Sequence, residues 1–162
     1  MGTRESSRAR RRSGWWASAK RVVLVVSSFY LVIVIMLAFL QRSLIYLPSR
    51  ARCIEPQDAG LDSTSADTVT VRTADGLELR GWHLLPEGRK ANDPHDFSTL
   101  LASGDPVVVY FSGNAGHRGY RDLEFSVFTR SGCHVIVFDY RGYGDNPGSP
   151  TEQNLAADAD AI

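Results

Sequence analysis

From Val22 to Leu40 the chain runs nineteen residues without a charge, and fourteen of them are Val, Leu, Ile or Phe. Only Ser27, Ser28 and Tyr30 carry a polar group there. At about 1.5 Å per residue, a helix of this length nearly crosses a hydrocarbon core about 30 Å thick. Each Leu, Ile, Val or Phe near the bilayer centre favours insertion by roughly 0.3 to 0.6 kcal/mol, which outweighs two serines. The buried core helix of a globular domain can also be apolar all round, but so long a run reads as a membrane span. Trp15 and Trp16 before it and Tyr46 after it sit where an aromatic belt would lie.

The flanks set the orientation. Arg4, Arg8, Arg10, Arg11, Arg12, Lys20 and Arg21 precede the span, and only Arg42, Arg50 and Arg52 follow it closely. The positive-inside bias leaves the N-terminus cytosolic and sends everything after Gln41 across, as in a single-pass type II protein whose soluble part is lumenal or extracellular. A cleaved signal peptide would have an apolar stretch of about 7–15 residues and a small-residue cleavage site. FLQRSLIYLP, which follows Ala38, offers no such site, so the segment reads as an uncleaved anchor. RARRR has the form of a retention signal but reads as a plain stop for translocation; the expected location is the endoplasmic reticulum membrane.

The formal net charge of zero hides two opposite halves. Residues 1–52 hold ten basic residues and one acid, whereas residues 53–162 hold eight basic and seventeen acidic residues. The basic tip suits an anionic leaflet, at about 1 kcal/mol per residue near the surface. The acidic remainder argues against a nucleic-acid partner. Cys53 and Cys133 make no disulfide framework and read as two ordinary thiols, although a lumenal domain would let them pair. No Asn-x-Ser/Thr sequon is present.

The organisation expected is a basic tail over 1–21, a span over 22–40, a linker over 41–66 and an α/β domain over 67–162. Thr68–Thr73 alternates as a half-buried strand, Asp75-Gly76 signals a hairpin, and Leu77–Leu85 resumes as its partner. Residues 86–105 read as an exposed polar connection. PVVVYF (106–111) and HVIVF (134–138) read as strands buried on both faces of a parallel sheet. A helix is predicted over Tyr120–Arg130 with Leu123, Val127 and Phe128 inward. Another starts after Thr151 with Leu155, Ala156 and Ala159 on one side. The fold class is therefore α/β: an antiparallel opening pair, then parallel strands with helices on both faces. Two buried-type strands need neighbours, so the expectation is the N-terminal part of a longer protein or a truncated isoform.

Two glycine turns follow the two buried strands: FSGNAG at 111–116 and DYRGYG at 139–144. Turns at the carboxyl ends of adjacent parallel strands form the functional rim of such sheets. One reading is a phosphate cradle, with Gly113, Gly116 and Gly119 before a helix and Asp139 as a ribose-binding acid. Its spacing is GxxGxxG rather than GxGxxG, and it leaves the second glycine turn without a task. The other reading is a donor turn, in which main-chain N–H groups approach the carbonyl of a reacting ester.

FSGNAG, HRGYR and HVIVFDYRGYGDNPGSPTEQNL together resemble the first half of an α/β-hydrolase. The similarity is to membrane-anchored abhydrolase domain-containing serine hydrolases, whose equivalent stretches read HGNAG and DYRGYG-(D/K)-S. The branch that cleaves monoacylglycerols and lysophosphatidylserine also carries an N-terminal membrane helix and a lead-in like Gly104-Asp105-Pro106. The likeness covers roughly residues 68–162. It implies an oxyanion hole served by the Asn114 N–H, with Gly113 allowing close approach, and a structural turn held by Asp139, Arg141, Gly142 and Gly144. Ser112 stands where the family has His, and Asn146 where Ser is common; neither change removes an amide donor.

The resemblance further implies a membrane-anchored lipase or lysophospholipase acting on lipid esters without cofactor or metal. An acyl-protein thioesterase and a catalytically inactive truncated membrane protein are the alternatives. The family nucleophile sits in GxSxG, followed by an acid and a histidine, and no GxSxG occurs in these 162 residues. No catalytic residue is therefore assigned within the chain, which alone is expected to be inactive; the triad is expected beyond Ile162. His83, His95, His117 and His134 lack metal-site spacing and read as structural or exposed.

Overall fold

No proline occurs before Pro48, so nothing removes a helical hydrogen bond through the apolar run and its flanks. The computed structural model describes residues 3–162, with side chains from Trp15 onward apart from Ala17. Helix α1 is continuous over Thr3–Ile45 and ends three residues before Pro48. Its segment Ser18–Ile45, 28 residues, is long and apolar enough to cross a membrane. It is longer than the uncharged run because the helix continues through the charged flanks on both sides. The side chains of Arg4, Arg8, Arg10, Arg11 and Arg12 lie outside the described residues.

The remainder, Ile45–Ile162, is a second compact unit. It begins with β1 (Leu47–Pro48) and a 3₁₀ turn over Pro56–Ala59. The hairpin β2 (Ala66–Arg72) and β3 (Glu78–Leu84) follows, closed by the Thr73 N–H on the Leu77 carbonyl at 2.8 Å. Next come α2 (Pro94–Leu101), β4 (Val107–Phe111) and β5 (Ala115–Gly116). A 3₁₀ turn over Arg118–Tyr120, α3 (Asp122–Arg130), β6 (His134–Phe138) and α4 (Glu152–Ala161) complete it. The sheet order is β2-β3-β6-β4, with β6 antiparallel to β3 and parallel to β4; β1 and β5 pair separately in parallel. Phe111 and Phe138 are register partners, so the turns leaving β4 and β6 emerge side by side.

Alternation along β3 sends Trp82 and Leu84 to one face and His83 to the other. Trp82, Leu84, Val135 and Val137 bury against Phe125 of α3, together with Ile54 and Ala66. On the opposite face His83 meets Phe97 of α2 edge-on, ring centroids 5.6 Å apart. Helices therefore cover both faces, and the architecture is α/β as expected.

Four local expectations need correction. The connection 86–105 contains α2, because Asp93 caps the N–H groups of His95 and Asp96 and Pro94 occupies the first turn, while Phe97 is buried. In α3 the inward residues are Phe125 and Phe128, whose rings meet Tyr110 of β4; Leu123 and Val127 are thereby turned outward and exposed. Strand β4 is half-buried on one face and exposed on the other: Val107, Val109 and Phe111 are each 45 % exposed, because the rings of α3, Phe125 and Phe128, pack on its Tyr110 side. In α4 the buried residue is Asp158, and Ala156 and Ala159 are exposed, because Arg141 draws the Asp158 side of the helix inward. Both cysteines are free.

His83 and His134 form a buried pair, Nε2 to Nδ1 at 2.9 Å. Burial, then the neighbouring His134, pushes His83 down to about 4. The unfolded chain takes up this proton near pH 6.5 and the folded one does not, so stability falls as pH drops from about 6.5 towards 4. The loss approaches about 3 kcal/mol for this group. Melting curves of the protein in detergent across that window are expected to show it, and His83→Gln is expected to flatten the slope; an unchanged slope in that variant would assign the loss elsewhere.

Candidate functional site

The turn that leaves β4 is held at its carbonyls. Tyr140 O–H donates to the Ser112 carbonyl at 2.8 Å, and Tyr143 O–H donates to the Asn114 carbonyl at 3.1 Å. The Leu47 N–H reaches the same Asn114 oxygen at 3.2 Å, and Asn114 Nδ2 donates to the Ile45 carbonyl at 2.9 Å. The amides of Gly113 and Asn114, by contrast, have no hydrogen-bond partner among the described residues. Ser112, Gly113 and Asn114 line a cleft of about 170 Å³ together with Tyr46, Tyr140, Tyr143 and Leu155. A Cβ on Gly113 would meet no neighbour and would project into open space. Glycine there relieves no packing clash; it leaves room beside the amides.

The second turn does a different job. Asp139 is buried, accepting the Arg118 N–H at 2.7 Å and an Arg118 guanidinium N–H at 2.6 Å. The same guanidinium lies 2.8 Å from Asp145, donates to the Ile54 carbonyl at 3.0 Å and sits over the Trp82 ring. Burial drives the Asp139 carboxyl above its ordinary range against the pull of Arg118. Arg80 links Asp145 to Glu55 at the rim, so the charges run in series from the 55 segment through the hairpin to both glycine turns. Arg141 donates to Asp158 of α4 and, with two N–H groups at 2.9 and 3.2 Å, to Asp75 of the hairpin turn. Hydrogen bonds, those from Arg141 first, hold Asp75 down at about 2.

Gly144 has φ of +56°, and a Cβ there would land on the Asp139 carboxylate, so both conformation and space require glycine. Its N–H donates to the Ser49 carbonyl and its own carbonyl accepts from the Ala51 N–H, both at 2.8 Å. Gly142 also has a left-handed φ, +81°. Asn146 reads the edge of β3 in both directions: its Oδ1 accepts the Arg80 N–H at 2.7 Å and its Nδ2 donates to the Arg80 carbonyl at 3.1 Å. A third bond reaches the Asp139 carbonyl at 2.6 Å. A serine could not make all three, which accounts for asparagine at this position.

The structure thus brings Gly113 and Asn114 into a cleft, and places Asp139, Arg141, Gly142 and Gly144 in the scaffold beside it. The ribose-acid reading of Asp139 does not survive, because its carboxylate is consumed by Arg118. His117 Nδ1 accepts the Gly119 N–H at 3.2 Å and its ring packs on Tyr120, so it caps a turn. Sequence reasoning missed Arg118, Asp145, Tyr140 and Tyr143. Only the two tyrosines left a signal, as aromatics interleaved with the glycines of the second turn. Among the described residues no group of three or more His, Cys, Asp or Glu could hold a metal ion.

No family model matches the chain. It is 36 % identical over 110 residues to the lysophosphatidylserine lipase ABHD12 of Danio rerio, covering 64 % of this chain and 28 % of that protein. The lysophosphatidylserine lipase ABHD12 of Rattus norvegicus is 35 % identical over 111 residues, covering 65 % of this chain and 27 % of that protein. An uncharacterised protein of Mycobacterium tuberculosis is 43 % identical over 122 residues, covering 75 % of this chain and 37 % of its own length. Among solved structures, the Pyrococcus furiosus esterase Pf2001 matches with a TM-score of 0.49 and 21 % identity, covering 71 % of this chain and 40 % of that one. The chain spans a little over a quarter of the length of the two lipases.

Proposed function

The chain belongs to the α/β-hydrolase superfamily, in its abhydrolase branch, and on that premise we propose that it carries the anchor and the oxyanion-binding rim of a membrane-bound lipid ester hydrolase. The observation that carries this reading is the pair of unpartnered amides, Gly113 and Asn114, presented beside an open cleft at the end of β4. Donors already aimed where negative charge develops need no reorganisation during the reaction. Lysophospholipid or monoacylglycerol is the proposed substrate class, the first supported by the names of the lysophosphatidylserine lipase relatives. The apolar helix supports it too, since an anchored domain meets poorly soluble acyl chains at the bilayer. A type II orientation in the endoplasmic reticulum membrane belongs to the same proposal.

In the whole protein a serine outside these 162 residues attacks the ester carbonyl, and a histidine takes its proton. The carbonyl oxygen becomes an oxyanion against the Gly113–Asn114 turn. Collapse of the adduct releases the alcohol, protonated by the same histidine, and water then attacks the acyl-enzyme to free the fatty acid. No metal or cofactor enters this sequence of steps. Within the chain, Ser126 donates to the Leu123 carbonyl, Ser131 donates to the Val127 carbonyl, and Ser112 precedes the donor turn on the wrong strand; none is poised as the nucleophile.

A fluorophosphonate probe tests the proposal. The full-length protein is expected to label on one serine and to release fatty acid from lysophosphatidylserine, whereas residues 1–162 alone are expected not to label. A full-length protein that neither labels nor releases fatty acid would sink the reading. Labelling of the 162-residue chain would put the nucleophile within it and overturn this mechanism.

A further inference from the structure

We propose that Tyr140 and Tyr143 are positioning residues that set the direction of the donor amides in the neighbouring turn. The inference rests on the ester-hydrolase reading and deepens it. A trans peptide is planar, with its C=O and N–H pointing in opposite directions. The chain has no cis peptide among the described residues, so fixing a carbonyl fixes the direction of the amide that follows it. Tyr140 holds the Ser112 carbonyl and thereby turns the Gly113 N–H the other way. Tyr143, helped by the Leu47 N–H, holds the Asn114 carbonyl and fixes the next peptide plane. The Gly113–Asn114 peptide is left between two anchored planes with its own N–H free.

Both phenols are well placed to hold this geometry. The rings pack edge-on with centroids 5.9 Å apart, Tyr143 is 2 % exposed, and both residues line the cleft. The Tyr143 N–H donates to the Tyr140 carbonyl at 2.9 Å, so one tight turn delivers both hydroxyls. Burial pushes both phenols up, which keeps their O–H donors intact into the alkaline range. This coupling gives the two glycine turns a joint purpose: the first presents amides, and the second aims them.

The test uses the full-length protein and the variants Tyr140→Phe, Tyr143→Phe and the double variant, which keep the rings and remove only the hydroxyls. Active sites are counted by fluorophosphonate end-point labelling, so that kcat is expressed per competent site. For the double variant, kcat is expected to fall about 10- to 100-fold, the scale of a misplaced catalytic group. KM is expected to hold, and affinity for a trifluoromethyl ketone is expected to fall in proportion to kcat/KM. If the tyrosines only stabilise the fold, labelled sites become fewer while kcat per site and ketone affinity stay at the wild-type values, and the proposal is overturned. A wild-type protein that never labels takes down the ester-hydrolase reading itself, and the inference with it.

Discussion

Replacing Arg118 with alanine is expected to unfold the Ile45–Ile162 unit or leave it barely folded. Arg118 is fully buried and its guanidinium faces two buried carboxylates, Asp139 at 2.6 Å and Asp145 at 2.8 Å. Removing one partner from a buried ion pair costs about 3–5 kcal/mol, because the surviving charge stays desolvated without compensation. A typical domain has only about 5–15 kcal/mol to lose. The Ile54 carbonyl keeps its bond from Trp82 Nε1 at 3.2 Å, but the stacking of Arg118 over that indole is lost. Arg118→Met separates charge from volume: it restores packing but still abandons the carboxylates, so it is expected to be nearly as damaging. Adding Asp139→Asn and Asp145→Asn to it is expected to recover much of the loss. Thermal melting in detergent, followed by near-UV circular dichroism, reads all three. Should Arg118→Ala melt with the wild type, the cluster is not what ties the two turns together.

That cluster also marks where sequence reading stops. The long apolar helix, the hairpin at Asp75-Gly76 and the strands β4 and β6 were legible because each has a local cause: an apolar run, a turn dipeptide, a β-branched stretch. The asymmetry of β4 was not, because which of its faces a helix covers depends on how elements distant in the chain pack, a non-local property. Helix α2 was hidden by its polar composition, although Asp93-Pro94 is a local start signal and Phe97 an anchor. In α3, Leu123, Phe125, Val127 and Phe128 admit more than one inward stripe, and contact with Tyr110 of β4 selects Phe125 and Phe128. At the site, Gly113 and Asn114 could be named from their turn, yet their free amides could not, since that depends on where the Tyr140 and Tyr143 hydroxyls end up. Nothing local singled out Arg118: the acids it pairs with, Asp139 and Asp145, lie far along the chain on a different turn.

In the full-length protein, Asn114→Pro is expected to lower kcat about 10²–10³-fold by deleting one oxyanion donor, with membrane insertion intact. Proline removes the N–H outright, and it also biases Gly113 towards an extended backbone. The substitution further removes the Asn114 side-chain bond to the Ile45 carbonyl, so a control is needed. Asn114→Ala loses that same bond but keeps the amide, and it is expected to retain most of the turnover. Rates should be expressed per fluorophosphonate-titrated site, which discounts any misfolded fraction. Residual activity in the proline variant is expected because the Gly113 amide, also unpartnered, remains beside the cleft. Undiminished turnover in Asn114→Pro would remove the Asn114 amide from the mechanism. Equal damage in Asn114→Ala and Asn114→Pro would instead show that the tie to the 45–47 segment carries the effect, and that the turn contributes order rather than a donor.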